Sequence, residues 1–215
     1  MKILLFGATG TVGNAVLEAC LAASIVEEVR AMTRRGLMST APKLRAYVHK
    51  DFLNYSTAQE AFRGIDACLF CLGTSVTQVS KDDYRKISYS MPLAAAQMLK
   101  TQSPSSAFHY ISGKGTAANS RMLWARVKAQ AEQDLIALFG AVCWRPAFIE
   151  AKPSSTTSLM YKLFLPLGRL FKPFPSLYVH GHDLGRAMLQ TTKENMRGRI
   201  IENPEIRQIA ARANW

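Results

Sequence analysis

The chain begins Met1-Lys2-Ile3-Leu4-Leu5-Phe6-Gly7-Ala8-Thr9-Gly10-Thr11-Val12-Gly13, and this stretch decides the fold. Ile3 to Phe6 is an unbroken apolar run, as expected of a strand buried on both faces. Three glycines follow at a spacing of three, and then Val12, Ala15, Val16 and Ala19 fall on one helical face. The stretch therefore reads as strand, glycine turn, helix. Such a turn aims backbone N–H groups and the positive end of the helix at one spot, which suits a pyrophosphate. Gly7 allows the turn, Gly10 lets phosphates approach the backbone, and Gly13 lets the helix pack close to the strand. Gly7, Thr9, Gly10, Thr11, Val12 and Gly13 are accordingly the expected contacts of a dinucleotide.

The same alternation runs on through the chain. Strand-like runs occupy 2–6, 29–32, 46–48, 65–72, 107–112, 141–145 and 199–201. Helix-like runs occupy 11–23, 84–100 (in spite of Pro92) and 120–139, and a last helix starts at His182-Asp183. This pattern predicts an α/β fold, a doubly wound parallel sheet with helices on both faces. The 215 residues suit one domain over 1–215. Residues 151–182 differ, with Pro153, Pro166, Pro173 and Pro175 and no acid. They read as an excursion, or lid, over the carboxyl ends of the strands.

At 48% hydrophobic and 20% charged residues the chain reads as globular. No apolar run approaches the roughly 20 residues that span a bilayer. The run at 3–6 is too short for a secretion signal, so a cytoplasmic location is expected. Cys68 and Cys71 form a C-x-x-C by count, but a strand turns residues three apart to opposite faces. They read as buried, inert thiols, and no metal centre is expected.

The formal net charge of +12 calls for an anionic partner. Tyr84–Ala131 and Ala151–His182 contain no acid, and the resulting positive potential would steer an anionic cofactor or substrate. No dedicated nucleic-acid motif is present. Leu159 to Phe174 interleaves Lys162, Arg169 and Lys172 with Leu and Phe. That composition suits contact with an anionic membrane surface or a protein partner, although a substrate lid is the preferred reading.

The end of the second strand discriminates between cofactors. An NAD site places Asp or Glu about 20 residues beyond the glycines, to accept from the ribose 2′-hydroxyl. Thr33-Arg34-Arg35 stands there instead, and no acid occurs between Glu28 and Asp51. Two guanidiniums suit a 2′-phosphate, so NADP(H) is favoured over NAD(H).

Further strings extend the pattern in order. Cys71-Leu72-Gly73-Thr74, Tyr110-Ile111-Ser112, Val127-Lys128, Arg145-Pro146 and His182-Asp183-Leu184-Gly185-Arg186-Ala187 follow the glycine turn. Together they resemble the atypical (extended-type) short-chain dehydrogenase/reductases, a Rossmann-type family, and in particular the NAD(P)-binding proteins of the Tat-interacting oxidoreductase group. The resemblance covers nearly the whole chain. It implies an oxidoreductase with an unknown small-molecule substrate. It also implies that Asp51-Phe52 contacts adenine and that Leu72-Gly73-Thr74 lines the cofactor. The segment after Arg145-Pro146 would close over the nicotinamide, with Pro146 in contact. Ser112 and a Tyr-x-x-x-Lys pair ending at Lys128 would carry the chemistry, and Lys128 would also bind the cofactor by holding its ribose hydroxyls.

One position departs from that pattern. Four residues before Lys128 stands Trp124, not tyrosine. An indole N–H donates a hydrogen bond but is not a usable acid near neutral pH. Acid–base help is worth about 10²–10⁴ in rate, or roughly 2.7–5.5 kcal/mol. Three readings stay open at this point. Trp124 stacks in a non-catalytic NADP(H)-binding redox sensor or scaffold, or the proton comes from Ser112, water or the substrate, or Trp124 is a core residue.

Overall fold

Side chains of the first strand, β1 (Lys2–Phe6), alternate between two cores. Ile3 and Leu5 join a cluster with Val16, Leu17, Leu184 and Met188, whereas Leu4 and Phe6 join one with Phe70, Ala95, Leu99 and Leu135. A strand apolar at every position is thus buried on both faces, as in sheets covered by helices on both sides. The computed structural model describes residues 1–37, 41–152, 168 and 170–215.

Seven strands form the main sheet: β1, β2 (Glu28–Thr33), β3 (Leu44–Val48), β4 (Ala67–Phe70), β5 (Ala107–Ile111), β6 (Val142–Arg145) and β9 (Arg199–Glu202). Their order is β3-β2-β1-β4-β5-β6-β9 and every pairing is parallel. The expected doubly wound α/β architecture is therefore present. β1 lies where the order reverses, between β2 and β4. Its register, Phe6 beside Phe70, sets Gly7 alongside Cys71.

One face carries α1 (Thr11–Ala22), α5 (Gly181–Lys193) and α6 (Asn203–Arg212). α5 approaches α1 closely. A Cβ at Gly181 would lie 2.7 Å from the Ala15 Cβ, and one at Gly185 would lie 2.6 Å from the Ala19 Cβ. Two glycines four apart on α5 therefore face two alanines four apart on α1, and only these small residues permit the spacing. α6 shows that α5 is not the last helix. Ile206, Ile209 and Ala210 bury its inner stripe, with Pro204 in the first turn.

The other face carries α3 (Met91–Gln102) and α4 (Leu123–Phe139). The continuous helix expected over 84–100 is divided. α2 (Lys81–Arg85) runs into a π-turn at Lys86–Ser90, and α3 restarts with Pro92 in its first turn. Proline has no N–H and its ring crowds the carbonyl four residues back, so a regular α-helix cannot cross this point. α4 begins at Leu123 and not at Ser120, whose hydroxyl accepts from the Met122 N–H at 3.1 Å.

A second, two-stranded parallel sheet pairs β7 (Phe148–Glu150) with β8 (Tyr178–His180). Of the excursion at 151–182, residues 153–167 and 169 lie outside the described residues, as does most of the 159–174 contact segment. Leu170, Phe171 and Phe174 are exposed, and Lys172 pairs with Glu150 at 3.2 Å. Cys68 packs in the α3–α4 core and Cys71 against the α1 core, on opposite faces as expected. Burial holds both thiols well above their ordinary range.

Candidate functional site

Where strand order reverses in a parallel sheet, the two flanking loops part and leave a crevice beyond the carboxyl ends of the strands. Here the crevice lies between the end of β1 and the end of β4. Gly7 adopts φ +81°, and a Cβ on it would stand 2.7 Å from the Cys71 carbonyl group and the Leu72 nitrogen. A Cβ on Gly13 would stand 2.0 Å from the Gly7 oxygen. Gly10 donates to that oxygen at 2.9 Å and is the N-cap of α1. A Cβ on Gly10 would meet only the Gly7 oxygen, at 3.3 Å, so this residue faces open space. Gly10 offers no capping side chain and the first turn of α1 carries no acid. First-turn amides have no acceptor within their own helix, and the helix end is positive. This cradle fits a pyrophosphate.

The cradle forms the floor of a cleft of about 510 Å³. Gly7, Thr9, Gly10, Thr11, Val12 and Gly13 all line it. Leu72, Gly73 and Thr74 line it from the end of β4, Arg34 from the end of β2, and Lys128 from α4. The sequence reading missed four further lining residues: Cys71, Ser75, Gln78 and Ile111. Ser75 and Gln78 belong to a turn in which the Gln78 N–H donates to the Ser75 carbonyl at 3.0 Å. Nothing in their local composition separates them from an ordinary loop.

Lys128 is anchored at the end of β5. Its Nζ donates to the carbonyl oxygens of Ile111 at 3.2 Å and Ser112 at 2.5 Å. Burial pushes it down to about 8, and the nearby Glu132 acts in the opposite direction. Both oxygens of Glu132 are taken by Arg145, at 2.9 and 2.6 Å, and this pair ties α4 to the end of β6.

The remaining expected site residues stand outside the cleft lining. Ser112 is buried, and its Oγ is 2.9 Å from Thr116 Oγ1. The six-membered ring tip of Trp124 lies beside Gly115, where a Cβ would be 3.5 Å from its Cη2. Trp124 and Lys128 share α4, but only Lys128 reaches the cleft. Arg35 is exposed and does not line it. Phe52 packs edge-on against Phe6 in the core at 5.7 Å, so its ring is not a surface for adenine. Asp51 is exposed and accepts from the Leu53 N–H at 3.0 Å, holding the turn after β3. Pro146 accepts from the Lys114 N–H at 2.9 Å and also lies outside the lining.

Comparison with known proteins agrees with this geometry. A family model described as NAD(P)H-binding matches residues 7–155. Protein FMP52, mitochondrial, of Eremothecium gossypii is 24% identical over 225 residues, covering 100% of this chain and 99% of that protein. Protein HTATIP2 of Rattus norvegicus is 25% identical over 136 residues, covering 61% of this chain and 54% of its own. A short chain dehydrogenase family protein from Francisella tularensis superimposes with a TM-score of 0.68 at 13% identity, covering 93% of this chain and 95% of that one. The FMP52 proteins are named mitochondrial, and this overturns the expectation of a cytoplasmic location. That expectation rested only on finding no signal segment in the first residues.

Proposed function

The chain belongs to the NAD(P)H-binding family and is of the atypical short-chain dehydrogenase/reductase type, and from that premise we propose that it binds NADP(H) in preference to NAD(H). The observation that carries this reading is Arg34. It lines the cleft at the end of β2, and no carboxylate is among the described lining residues. A guanidinium there suits a 2′-phosphate, and the ribose 2′-hydroxyl of NAD would find no carboxylate acceptor among the described lining residues. In this reading the pyrophosphate sits over Gly10, the adenine lies toward Asp51, and Leu72-Gly73-Thr74 runs beside the nicotinamide half. Pro146 would lie on the substrate side. Titration of both cofactors by intrinsic fluorescence, at fixed salt, tests the preference. Equal affinities would refute it.

An oxidoreductase acting on a small carbonyl or alcohol is the activity this arrangement supports. Ser112, held by Thr116, would shape the wall behind the substrate. The second reading is a non-catalytic NADP(H)-binding redox sensor or scaffold. It is favoured by one observation: tryptophan stands four residues before Lys128, and Trp124 is not among the described residues that line the cleft. Oxidation of NADPH that depends on an added carbonyl separates the two readings.

A further inference from the structure

We propose that Lys128 is itself the proton donor of this site, its Nζ supplying the acid that position 124 lacks. The inference rests on the reading above, in which the cleft holds a reduced nicotinamide dinucleotide.

The first support is geometric. Lys128 lines the cleft, and its Nζ donates to two backbone carbonyls, those of Ile111 and Ser112. An ammonium has three donors, arranged tetrahedrally with the carbon stem. Two are directed at the carbonyls, which leaves the third for an acceptor in the cleft that the residue lines. Losing that third proton leaves a neutral amine that keeps both carbonyl bonds, with a lone pair where the third N–H was. The group can therefore give up and regain a proton without moving.

The second support comes from the other lining groups. The described lining otherwise offers hydroxyls, the Gln78 amide, the Arg34 guanidinium and the Cys71 thiol. Hydroxyls and amides do not release protons near neutral pH, and arginine stays charged. Burial holds the Cys71 thiol well up. Lys128 alone among them combines reach with a usable acidity.

The third support is the surrounding charge. On α4, Glu132 stands one turn beyond Lys128, with both oxygens held by Arg145 of β6. From β5, the Tyr110 ring lies 6.0 Å from Nζ. Cys71 at the end of β4 and Arg34 at the end of β2 complete the titratable and charged groups of the cleft lining. No carboxylate contacts Nζ directly among the described residues, so burial dominates and brings the group down to about 8. An acid tuned close to the working pH is the efficient one.

The carbonyl carbon of the substrate accepts a hydride, with its electron pair, from the reduced dinucleotide. The carbonyl π pair moves onto oxygen, and the Nζ–H bond of Lys128 breaks as that oxygen takes the proton. The products are the alcohol, the oxidised dinucleotide and a neutral lysine, which regains its proton from water.

The test begins with the wild-type protein and NADPH alone. Saturable fluorescence quenching establishes the bound state, and its absence with both NADPH and NADH would defeat the cofactor reading itself. Next, lysine side chains labelled with carbon-13 are titrated by NMR. One lysine, assigned by its loss in Lys128→Arg, should titrate near pH 8. Finally, NADPH oxidation is followed with a panel of aldehydes and ketones. Turnover should fall as pH rises through that same midpoint. Lys128→Arg and Lys128→Gln should lower turnover at least about a hundredfold while still quenching with NADPH. A Lys128 midpoint near the ordinary lysine value would overturn the proposal. So would turnover in Lys128→Arg within threefold of wild type, or NADPH-bound wild type that reduces no member of the panel.

Discussion

The Tyr110 hydroxyl donates to the Ser88 carbonyl at 2.7 Å, in the buried interior. Ser88 is four residues before Pro92, so its carbonyl is the one that a regular helix would pair with the N–H that proline lacks. A side chain from β5 thus serves an acceptor whose usual partner, four residues on, is missing at Pro92. Tyr110→Phe should cost about 1–3 kcal/mol, the range for stranding a buried polar group, measured by urea unfolding. In a Pro92→Ala background the residue-92 N–H becomes available, and the same change should cost clearly less. Additive costs in the two backgrounds would refute the relationship.

The glycines of the turn should separate into two classes. At Gly13 a methyl would overlap the Gly7 oxygen, so Gly13→Ala should cost about 3 kcal/mol or more in stability. At Gly10 a methyl meets one atom only, at 3.3 Å, and otherwise faces the cleft. Gly10→Ala should fold with nearly native thermal stability but lose at least about tenfold in NADPH affinity, roughly 1.4 kcal/mol. Native affinity in folded Gly10→Ala would move the pyrophosphate site elsewhere.

The two arginines should not be equivalent. Arg34 lines the cleft and Arg35 does not. Arg34→Ala should weaken NADPH by roughly 1.5–3 kcal/mol, as for hydrogen bonds to charged groups, and leave NADH little changed. Arg35→Ala should alter neither by more than about 0.5 kcal/mol, the usual bound for a surface change. Calorimetric titration of the two variants with both cofactors gives the four numbers needed.

His109 makes stability acid-sensitive. It is fully buried, and the Trp144 indole N–H donates to its Nδ1 at 3.1 Å. Its Nε2 therefore carries the proton and donates to Thr192 Oγ1 at 2.9 Å. Burial, then the Arg197 charge, pushes the ring from 6.5 down to about 3. The unfolded chain takes up this proton first. Stability from this group is complete above about pH 6.5 and falls as pH drops, until the folded state also protonates near pH 3. The slope in that window should reach about 1.4 kcal/mol per pH unit. His109→Gln should lower stability at neutral pH yet remove this contribution to the acid slope. An unchanged slope in urea melts from pH 7 to 4 would rule it out.

The parallel sheet and its glycine turn were legible because a strand buried on both faces writes an apolar run, and a tight βα turn writes glycine. Cleft geometry was legible only as far as the chain path forces it: Gly7 to Gly13 lie on one turn, and Leu72 to Thr74 follow the neighbouring strand. Which of Arg34 and Arg35 turns inward was not, because adjacent side chains beyond a strand end are set by the bend and not by composition. Trp124 and Ser112 show the same limit, since a matching register does not say where a ring or hydroxyl points. α6 did carry a signal: Pro204 with Ile206, Ile209 and Ala210 at helical spacing. The three-residue strands β7 and β8 are too short for any period to show.

The glycine-to-alanine fit between α5 and α1 bears on how small this protein can be made. α1 presents the amides of the cradle, and it is held from behind by Gly181 and Gly185. Those residues lie well beyond 7–155, the span matched by the NAD(P)H-binding family model. A fragment cut to that span would retain every glycine of the turn and still lose the surface on which α1 rests. Val16 and Leu17 would be laid bare, and the amides would point wherever a loosened helix carried them. Affinity for the dinucleotide is thus distributed over both ends of the polypeptide, and α5 is a structural component of a cleft whose described lining it does not enter.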